Sequence, residues 1–150
     1  MAEKEHIAVA RGTNLGISTK FAREVAKFVR GKNLKNAKKD LEEVLLQKKA
    51  VPFKRYNQDL GHKVGASGPG RYPMKTVTEI LALIKSAEAN ANNKGLDHES
   101  LFVKSIITNK GSTQMRAGRK RGRHAKRTHV EVILAEKEKK KEEKKEKGKK

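Results

Sequence analysis

The chain has 150 residues, enough for one domain with a modest core, and its 37 lysines and arginines outnumber its 17 acidic residues to give a formal net charge of +20. Such a charge would repel itself in a compact monomer, so we expect a polyanionic partner. The sequence has no cysteine, which excludes disulfides and thiolate metal sites, and no apolar run approaches the roughly 18 residues of a membrane span, so a cytosolic protein without membrane partners is expected.

The first third of the chain predicts a short strand and two helices. The strand covers residues 6–10 and should end at the turn-rich residues 11–14. Ser18 or Thr19 can cap a helix with apolar residues at 21, 25, 28 and 29, and Gly31 is placed to stop it. Asn33 can cap a second helix with an apolar stripe at 34, 37, 41, 44 and 45. The short connection predicts that these two helices are antiparallel neighbours.

A long loop is predicted from Pro52 to Pro73, because all three prolines and four of the glycines lie within it. An unstructured connection of this length is uncommon in a compact domain unless it has a function. The loop interleaves cations with aromatic rings, a composition that suits the phosphates and bases of RNA. Its candidate RNA-binding residues are Lys54, Arg55, Tyr56, Lys63, Arg71 and Tyr72. The alternative is that the rings, including Phe53, pin the loop to the helices, since amphipathic aromatic side chains do both.

The strongest predicted helix follows Pro73, with apolar residues on one face from Val77 to Ala91 and an end near Gly95. After a connection at residues 96–100, residues 101–108 and 128–134 have the Val, Ile, Thr and Phe content of strands.

The stretch between those two strands, residues 110–127, carries eight cations and no carboxylate; we call it the arm. Met115 is its only sizeable apolar side chain, so burial cannot offset the entropy of ordering it and a partner must do so. With its flanking strands the arm predicts an overlong, basic β-hairpin. Its candidate RNA-binding residues are Lys110, Arg116, Arg119, Lys120, Arg121, Arg123, Lys126 and Arg127.

The predicted organisation is a single domain at residues 1–135, with a hairpin extension at about 109–128 and a Lys/Glu-rich tail at 136–150 that is expected to be disordered. We predict no active site. The five histidines have no second ligand at metal spacing, and no carboxylate pair or Ser-His arrangement stands out. No cofactor, metal or small-molecule substrate is therefore expected.

Two polyanions compete as the expected partner. Non-specific DNA binding, as in a chromatin-like basic protein, would suit the charge, but the sequence has no recognisable helix-turn-helix, heptad repeat or zinc spacing. Folded RNA fits better, because a basic arm can enter crevices lined by phosphates, where guanidinium groups make bidentate contacts.

Several motifs resemble a known family. Three of them, Val51-Pro52-Phe53-Lys54, Gly61-His62-Lys63 and Gly70-Arg71-Tyr72-Pro73, look like its archaeal and eukaryotic loop. The segment from Ser86 to Asp97 resembles the end of its third helix, and Arg116-Ala117 followed by Lys126-Arg127-Thr128 resembles its hairpin signature. The family is large-subunit ribosomal protein twenty-two, called seventeen in eukaryotic nomenclature.

The resemblance implies an α+β fold, in which a small three-stranded antiparallel sheet packs against three helices. It also implies a long protruding hairpin that threads through ribosomal RNA and lines the peptide exit tunnel. It places the tunnel-lining tip at Met115, Arg116, Ala117, Gly118 and Arg119. It further implies a non-enzymatic, structural constituent of the cytoplasmic large ribosomal subunit that aids subunit assembly. The partners it implies are large-subunit ribosomal RNA, neighbouring ribosomal proteins and the nascent polypeptide near the tip.

Overall fold

The structure is a computed structural model that describes residues 6–66, 68–119 and 122–137. Its elements, in chain order, are β1 Ile7–Leu15, α1 Thr19–Val29, α2 Leu34–Leu45, β2 Val51–Pro52, β3 Gly70–Arg71, α3 Met74–Asn93, β4 Leu101–Lys110, β5 Gln114–Met115, β6 His124–Ala125 and β7 Thr128–Glu136. The predicted α+β class is confirmed, with three helices and a three-stranded antiparallel sheet. Lys120, Arg121 and most of the predicted tail lie outside the described residues.

Strand β7 is the centre of the sheet, which has the order β1-β7-β4. Its residues Val130, Val132 and Leu134 are buried and alternate with half-buried neighbours, as the sequence predicted. The buried row joins α3 residues such as Ile80 and Ile84 in one hydrophobic core. None of the described helices is long and apolar enough to cross a membrane.

Helix α3 carries the predicted apolar face and packs against β1, β7 and both other helices. The prediction that α1 and α2 pair with each other is wrong, because α1 packs against β4 and α3, while α2 packs mainly against α3. The connection between the two helices explains the difference. The Gly31 N–H donates to the Val103 carbonyl at 2.8 Å, and the Val103 N–H donates to the Lys32 carbonyl at 2.9 Å. This connection therefore borders the sheet at β4 and separates the two helices.

Strand β1 is longer than predicted, because residues 11–14 continue it beside β7 instead of ending it. The register shifts between Gly12 and Leu15, and Asn14 has a φ of 54°. A side chain on Gly12 would meet the methyl groups of Leu83 at 3.1 Å. The glycine and the asparagine therefore serve a bulge and a close approach to α3, not a reversal of the chain.

Candidate nucleic-acid interface

A buried carboxylate folds the start of the Pro52–Pro73 loop onto α1. Glu24, only 1% exposed, accepts hydrogen bonds from the backbone N–H groups of Lys54 at 3.2 Å, Arg55 at 2.9 Å and Tyr56 at 3.1 Å. These bonds satisfy both the buried carboxylate and three backbone donors. The start of the loop is therefore fixed against the side of α1.

One aromatic ring of the loop pins it to the body. Phe53 is 2% exposed and packs edge-to-face on Phe21, with 5.3 Å between the ring centroids. The loop also closes on itself where β2 pairs with β3 and the Phe53 N–H donates to the Pro69 carbonyl at 2.9 Å. The pinning role is thus confirmed for Phe53, and the loop cations Lys54, Arg55, Lys63 and Arg71 remain exposed.

Tyr56 lies among three cations of α1 and the loop. Its hydroxyl oxygen accepts a hydrogen bond from Arg23 Nη1 at 3.0 Å, Lys20 Nζ is 5.6 Å from its ring centroid, and the Arg55 guanidinium carbon is 5.8 Å away. The hydrogen bond from Arg23 lowers the pKa of the Tyr56 hydroxyl below its usual value. Tyr56 is half-buried, so its ring serves the loop's packing and also presents a surface beside positive charge.

The arm forms a hairpin through backbone pairing. Gln114 pairs with Ala125 and Met115 with His124, and the Arg116 N–H donates to the Arg123 carbonyl at 2.9 Å. All side chains from Ser112 to Arg119 are exposed, so the hairpin has no core of its own there. Of the five predicted tip residues, Met115 lies in strand β5, while Ala117, Gly118 and Arg119 follow the last described pair of the hairpin.

The root of the arm is fixed to the body. Thr128 is fully buried, donates to the Ile17 carbonyl at 2.9 Å and contacts the Thr19 hydroxyl at the same distance. The Gly111 N–H donates to the Arg127 carbonyl at 2.9 Å. A Cβ atom on Gly111 would lie 3.1 Å from Arg127 Cβ and from His129 Nε2, so any larger residue here would have to displace these side chains.

Lys20 joins the arm to the loop. It lines a cleft at the root of the arm together with Ser18, Thr19, Lys110, Thr113, Lys126 and Arg127, and it also lies beside the Tyr56 ring. Lys20 thus brings the root of the arm and the start of the loop side by side, and we call a set of cations of α1, the loop and the arm, together with Tyr56, the basic face. Its described members are Lys20, Arg23, Arg55, Tyr56, Lys110, Arg116, Arg119, Arg123, Lys126 and Arg127. Arg71 adjoins it through the Phe21 ring, at 5.6 Å.

Three predicted loop residues, Lys54, Lys63 and Tyr72, stand apart from this surface. Among the described residues, no side-chain hydrogen bond or ring contact joins exposed Lys54, exposed Lys63 or half-buried Tyr72 to the basic face. The predicted residues Lys120 and Arg121 are not among those the structure describes. The structure thus brings together most, but not all, of the candidate residues.

The ion pairs of the protein lie away from the basic face. Lysines and arginines of the rest of the body bind carboxylates, in the pairs Arg11–Glu131, Lys32–Asp40, Lys35–Glu99, Lys38–Glu88 and Lys49–Asp40. Within the described part of the chain, no cation of the basic face forms an ion pair with a carboxylate. The positive charge of the basic face is consequently not offset by ion pairs within the described chain, and this surface can attract an anion.

Sequence reasoning missed Glu24, Lys20 and Arg23. Glu24 carries a detectable signal, since it lies three residues after Phe21 on the apolar stripe of α1, where an acidic residue needs a hydrogen-bonding partner. Lys20 and Arg23 carry no such signal, because only the fold reveals that they flank Tyr56 and the arm.

Known proteins resemble the chain over most of its length. The family model described as ribosomal protein L22p/L17e matches residues 10–135. Large ribosomal subunit protein uL22 of Methanocaldococcus jannaschii is 41% identical over 139 residues, which cover 88% of this chain and 89% of that protein. The corresponding protein of Methanococcoides burtonii is 39% identical, covering 89% and 92% of the two chains, and that of Staphylothermus marinus is 36% identical, covering 91% and 93%. The resemblance seen in the sequence motifs is therefore confirmed, and the chain belongs to the ribosomal protein L22p/L17e family.

Proposed function

We propose that the chain binds large-subunit ribosomal RNA through its basic face and aids assembly by bringing RNA segments together. Membership of the family makes it a structural, non-enzymatic constituent of the large ribosomal subunit in the cytoplasm, with ribosomal RNA and ribosomal proteins as its partners. The interface and its mechanism are the proposed parts.

This proposal rests on the observation that some cations of the body form ion pairs with carboxylates, whereas the described cations of the arm do not. Lys35 and Lys38 on α2 and Arg11 on β1 have carboxylate partners, whereas none of the cations described on the arm has one. Intramolecular pairing therefore leaves the arm's charge available to neutralise phosphates. An exposed hairpin with charge on both strands can contact phosphates of two RNA segments and reduce their mutual repulsion.

We assign RNA contacts to the residues that the sequence singled out, including the two that the structure does not describe. In the arm these are Lys110, Arg116, Arg119, Lys120, Arg121, Arg123, Lys126 and Arg127; in the loop they are Lys54, Arg55, Tyr56, Lys63, Arg71 and Tyr72. Arginines suit bidentate phosphate contacts, and Tyr56 suits stacking by an unpaired base.

We also assign the peptide exit tunnel contact to the residues Met115, Arg116, Ala117, Gly118 and Arg119. All five are exposed, and Met115 is 71% exposed without contributing to the core. A photocrosslinker at Ala117 should label the nascent polypeptide in stalled ribosomes, whereas one at Lys110, beside the root, should not. Equal labelling from both positions would contradict the assignment.

Salt dependence tests RNA binding. Affinity for a large-subunit ribosomal RNA fragment should fall steeply with salt, with a log-log slope of about −4 to −5 if six phosphates are neutralised. Replacing Arg116 and Arg123 by Gln should make the slope less steep by about 1 to 2, whereas replacing Lys35 and Lys39 on α2 should leave it nearly unchanged. A flat slope for the unaltered protein would refute the proposal, and equal affinity for plain duplex DNA would favour the chromatin-like alternative.

A further inference from the structure

A second cleft at the root of the arm joins three parts of the chain that are distant in sequence. It has a volume of about 280 Å³ and is lined by Gly16, Lys75, Arg116, His124, Ala125, Lys126 and Arg127. Gly16 precedes α1, Lys75 lies in the first turn of α3, and the other residues belong to the arm. No carboxylate lines the cleft among the residues that the structure describes.

Two cations converge at Gly16. A Cβ atom built on Gly16 would lie 3.3 Å from Arg127 Nη1 and 3.4 Å from Lys75 Nζ. The two nitrogens are therefore at most about 6.7 Å apart, the sum of those distances. Like charges at this separation repel, and neither side chain forms an ion pair with a described carboxylate. An anion placed between the two nitrogens would offset this repulsion.

The glycine itself leaves room for such an anion. Gly16 is not one of the glycines with positive φ, so its backbone conformation is open to other residues. Only the flexible ends of Arg127 and Lys75 would meet a side chain there. The space over Gly16 is thus accessible to an anion from outside, and a phosphate whose oxygens lie about 2.8 Å from each nitrogen can span the two cations.

We propose that this cleft binds a single backbone phosphate of the RNA, with Lys75 and Arg127 as its two ligands. This inference rests on the proposed RNA-binding function and adds Lys75, a residue of the core helix, to the interface. A phosphate held there would link α3 to the returning strand of the arm. It would consequently fix the direction in which the arm leaves the body.

Substitutions at Gly16 test the cleft with a matched pair. Gly16→Asp places a carboxylate between Lys75 and Arg127, and Gly16→Asn adds a side chain of the same size without the charge. We expect Gly16→Asp to weaken binding of the ribosomal RNA fragment about tenfold and to make the salt slope less steep by about 1, without lowering the melting temperature. Gly16→Asn should bind within about twofold of the unaltered protein, because a neutral side chain leaves both cations available. Equal RNA affinity for the two variants would overturn the proposal.

Two lysines of α3 provide an independent test. Lys75→Gln removes a ligand of the cleft, whereas Lys85→Gln removes an equally exposed cation from the same helix outside the cleft. The salt slope should become less steep by about 0.7 to 0.9 for Lys75→Gln and stay unchanged for Lys85→Gln. Identical slopes for the two variants would overturn the role of Lys75.

The source of the phosphate is tested by following the Gly16 amide signal in NMR spectra. A shift on adding the RNA fragment that is much smaller in Lys75→Gln supports the proposal, and no shift with RNA overturns it. Inorganic phosphate serves as the second probe. If it saturates the shift and RNA does not displace it, the free anion is the ligand and the RNA assignment is wrong.

The proposed function and the proposed cleft fail in different ways. If the unaltered protein binds RNA weakly and with a flat salt slope, the proposed function fails. If the unaltered protein binds steeply but Gly16→Asp and Lys75→Gln each match their control variants, RNA binding stands and only the cleft is refuted.

Discussion

At the scale of single residues, the buried carboxylate of Glu24 decides the shape of the loop. Its Oε1 accepts from the N–H groups of Arg55 and Tyr56, and its Oε2 accepts from Lys54. Both oxygens are therefore in use, and together they set the start of a loop whose cations are proposed to bind RNA. One acidic residue on α1 thus orders part of a basic surface.

Glu24→Gln should destabilise the fold by about 1.5 to 3 kcal/mol, because an amide can replace only one carboxylate oxygen and turns a donor toward a remaining N–H group. Urea unfolding measures the loss, and faster hydrogen exchange at residues 54–56 locates it. The exposed residue Glu42 offers a control of the same chemistry on α2. A Glu24→Gln variant as stable as Glu42→Gln would show that the carboxylate does not order the loop.

Two substitutions measure the contributions of the Tyr56 ring and the Tyr56 hydroxyl separately. Tyr56→Ala removes a stacking surface and should weaken RNA binding by about 1 to 3 kcal/mol. Tyr56→Phe keeps the ring and loses only the hydrogen bond from Arg23, so RNA binding should fall much less. Binding to the RNA fragment and thermal melting are measured on both variants. A loss of melting temperature in Tyr56→Ala without a loss of RNA affinity would leave the ring a purely structural role.

At the scale of elements, Glu88 ties α3 to α2 and to the connection before β4, through Lys38 and His98. Burial acts to raise the pKa of Glu88, but the hydrogen bonds from Lys38 and His98 outweigh it and hold this pKa below its usual value. Because the pKa of Glu88 is lower in the folded state than its ordinary value near 4.5, the ionised carboxylate stabilises the fold at pH values above 4.5. This stabilisation is lost as the pH falls through the folded-state pKa.

Thermal melting between about pH 6 and pH 3 tests this contribution. The melting temperature of the unaltered protein should fall with pH more steeply than that of Glu88→Gln, which cannot titrate at this position. Glu42→Gln, on an exposed face, should follow the unaltered protein. Parallel curves for Glu88→Gln and the unaltered protein would exclude a stabilising role of the ionised Glu88.

The elements also reveal what local sequence could predict. Helix α3 and strand β7 carry long, regular apolar patterns, and both lie where those patterns predict them. The end of β1 was wrongly predicted because Gly12 and Asn14 suit a bulge as well as a turn. The loop's course depends on Glu24 and Phe21, about 30 residues away in sequence, and the pairing of β5 with β6 depends on backbone bonds without an apolar signal.

At the scale of the whole molecule, folding and RNA binding use different residues. The core is formed by apolar residues of three helices and one sheet. The described cations of the arm are exposed, except for half-buried Arg127, and none of them has a carboxylate partner in the described chain. The mutual repulsion expected from a net charge of +20 is reduced in the free protein, because eight of the cations belong to the arm and not to the compact body. The arm should therefore be removable without loss of the body.

Replacing residues 112–126 with an Asn-Gly turn between Gly111 and Arg127 tests this separation, since two-residue turns of that type connect paired strands. The body should stay folded, with a melting temperature within a few degrees of the unaltered protein, because residues 112–119 are all exposed and none belongs to the hydrophobic core. Six cations are lost, so the RNA salt slope should become less steep by about 0.7 to 0.9 for each of them that neutralises a phosphate. The loop and the root of the arm should supply the slope that remains, and incorporation into large subunits should fail. A full-length variant with the same six cations replaced by Gln keeps the hairpin and removes only its charge. Its salt slope should be as much reduced as that of the shortened chain. If the shortened chain unfolds instead, the arm belongs to the folding unit and the division between core and RNA-binding hairpin is wrong.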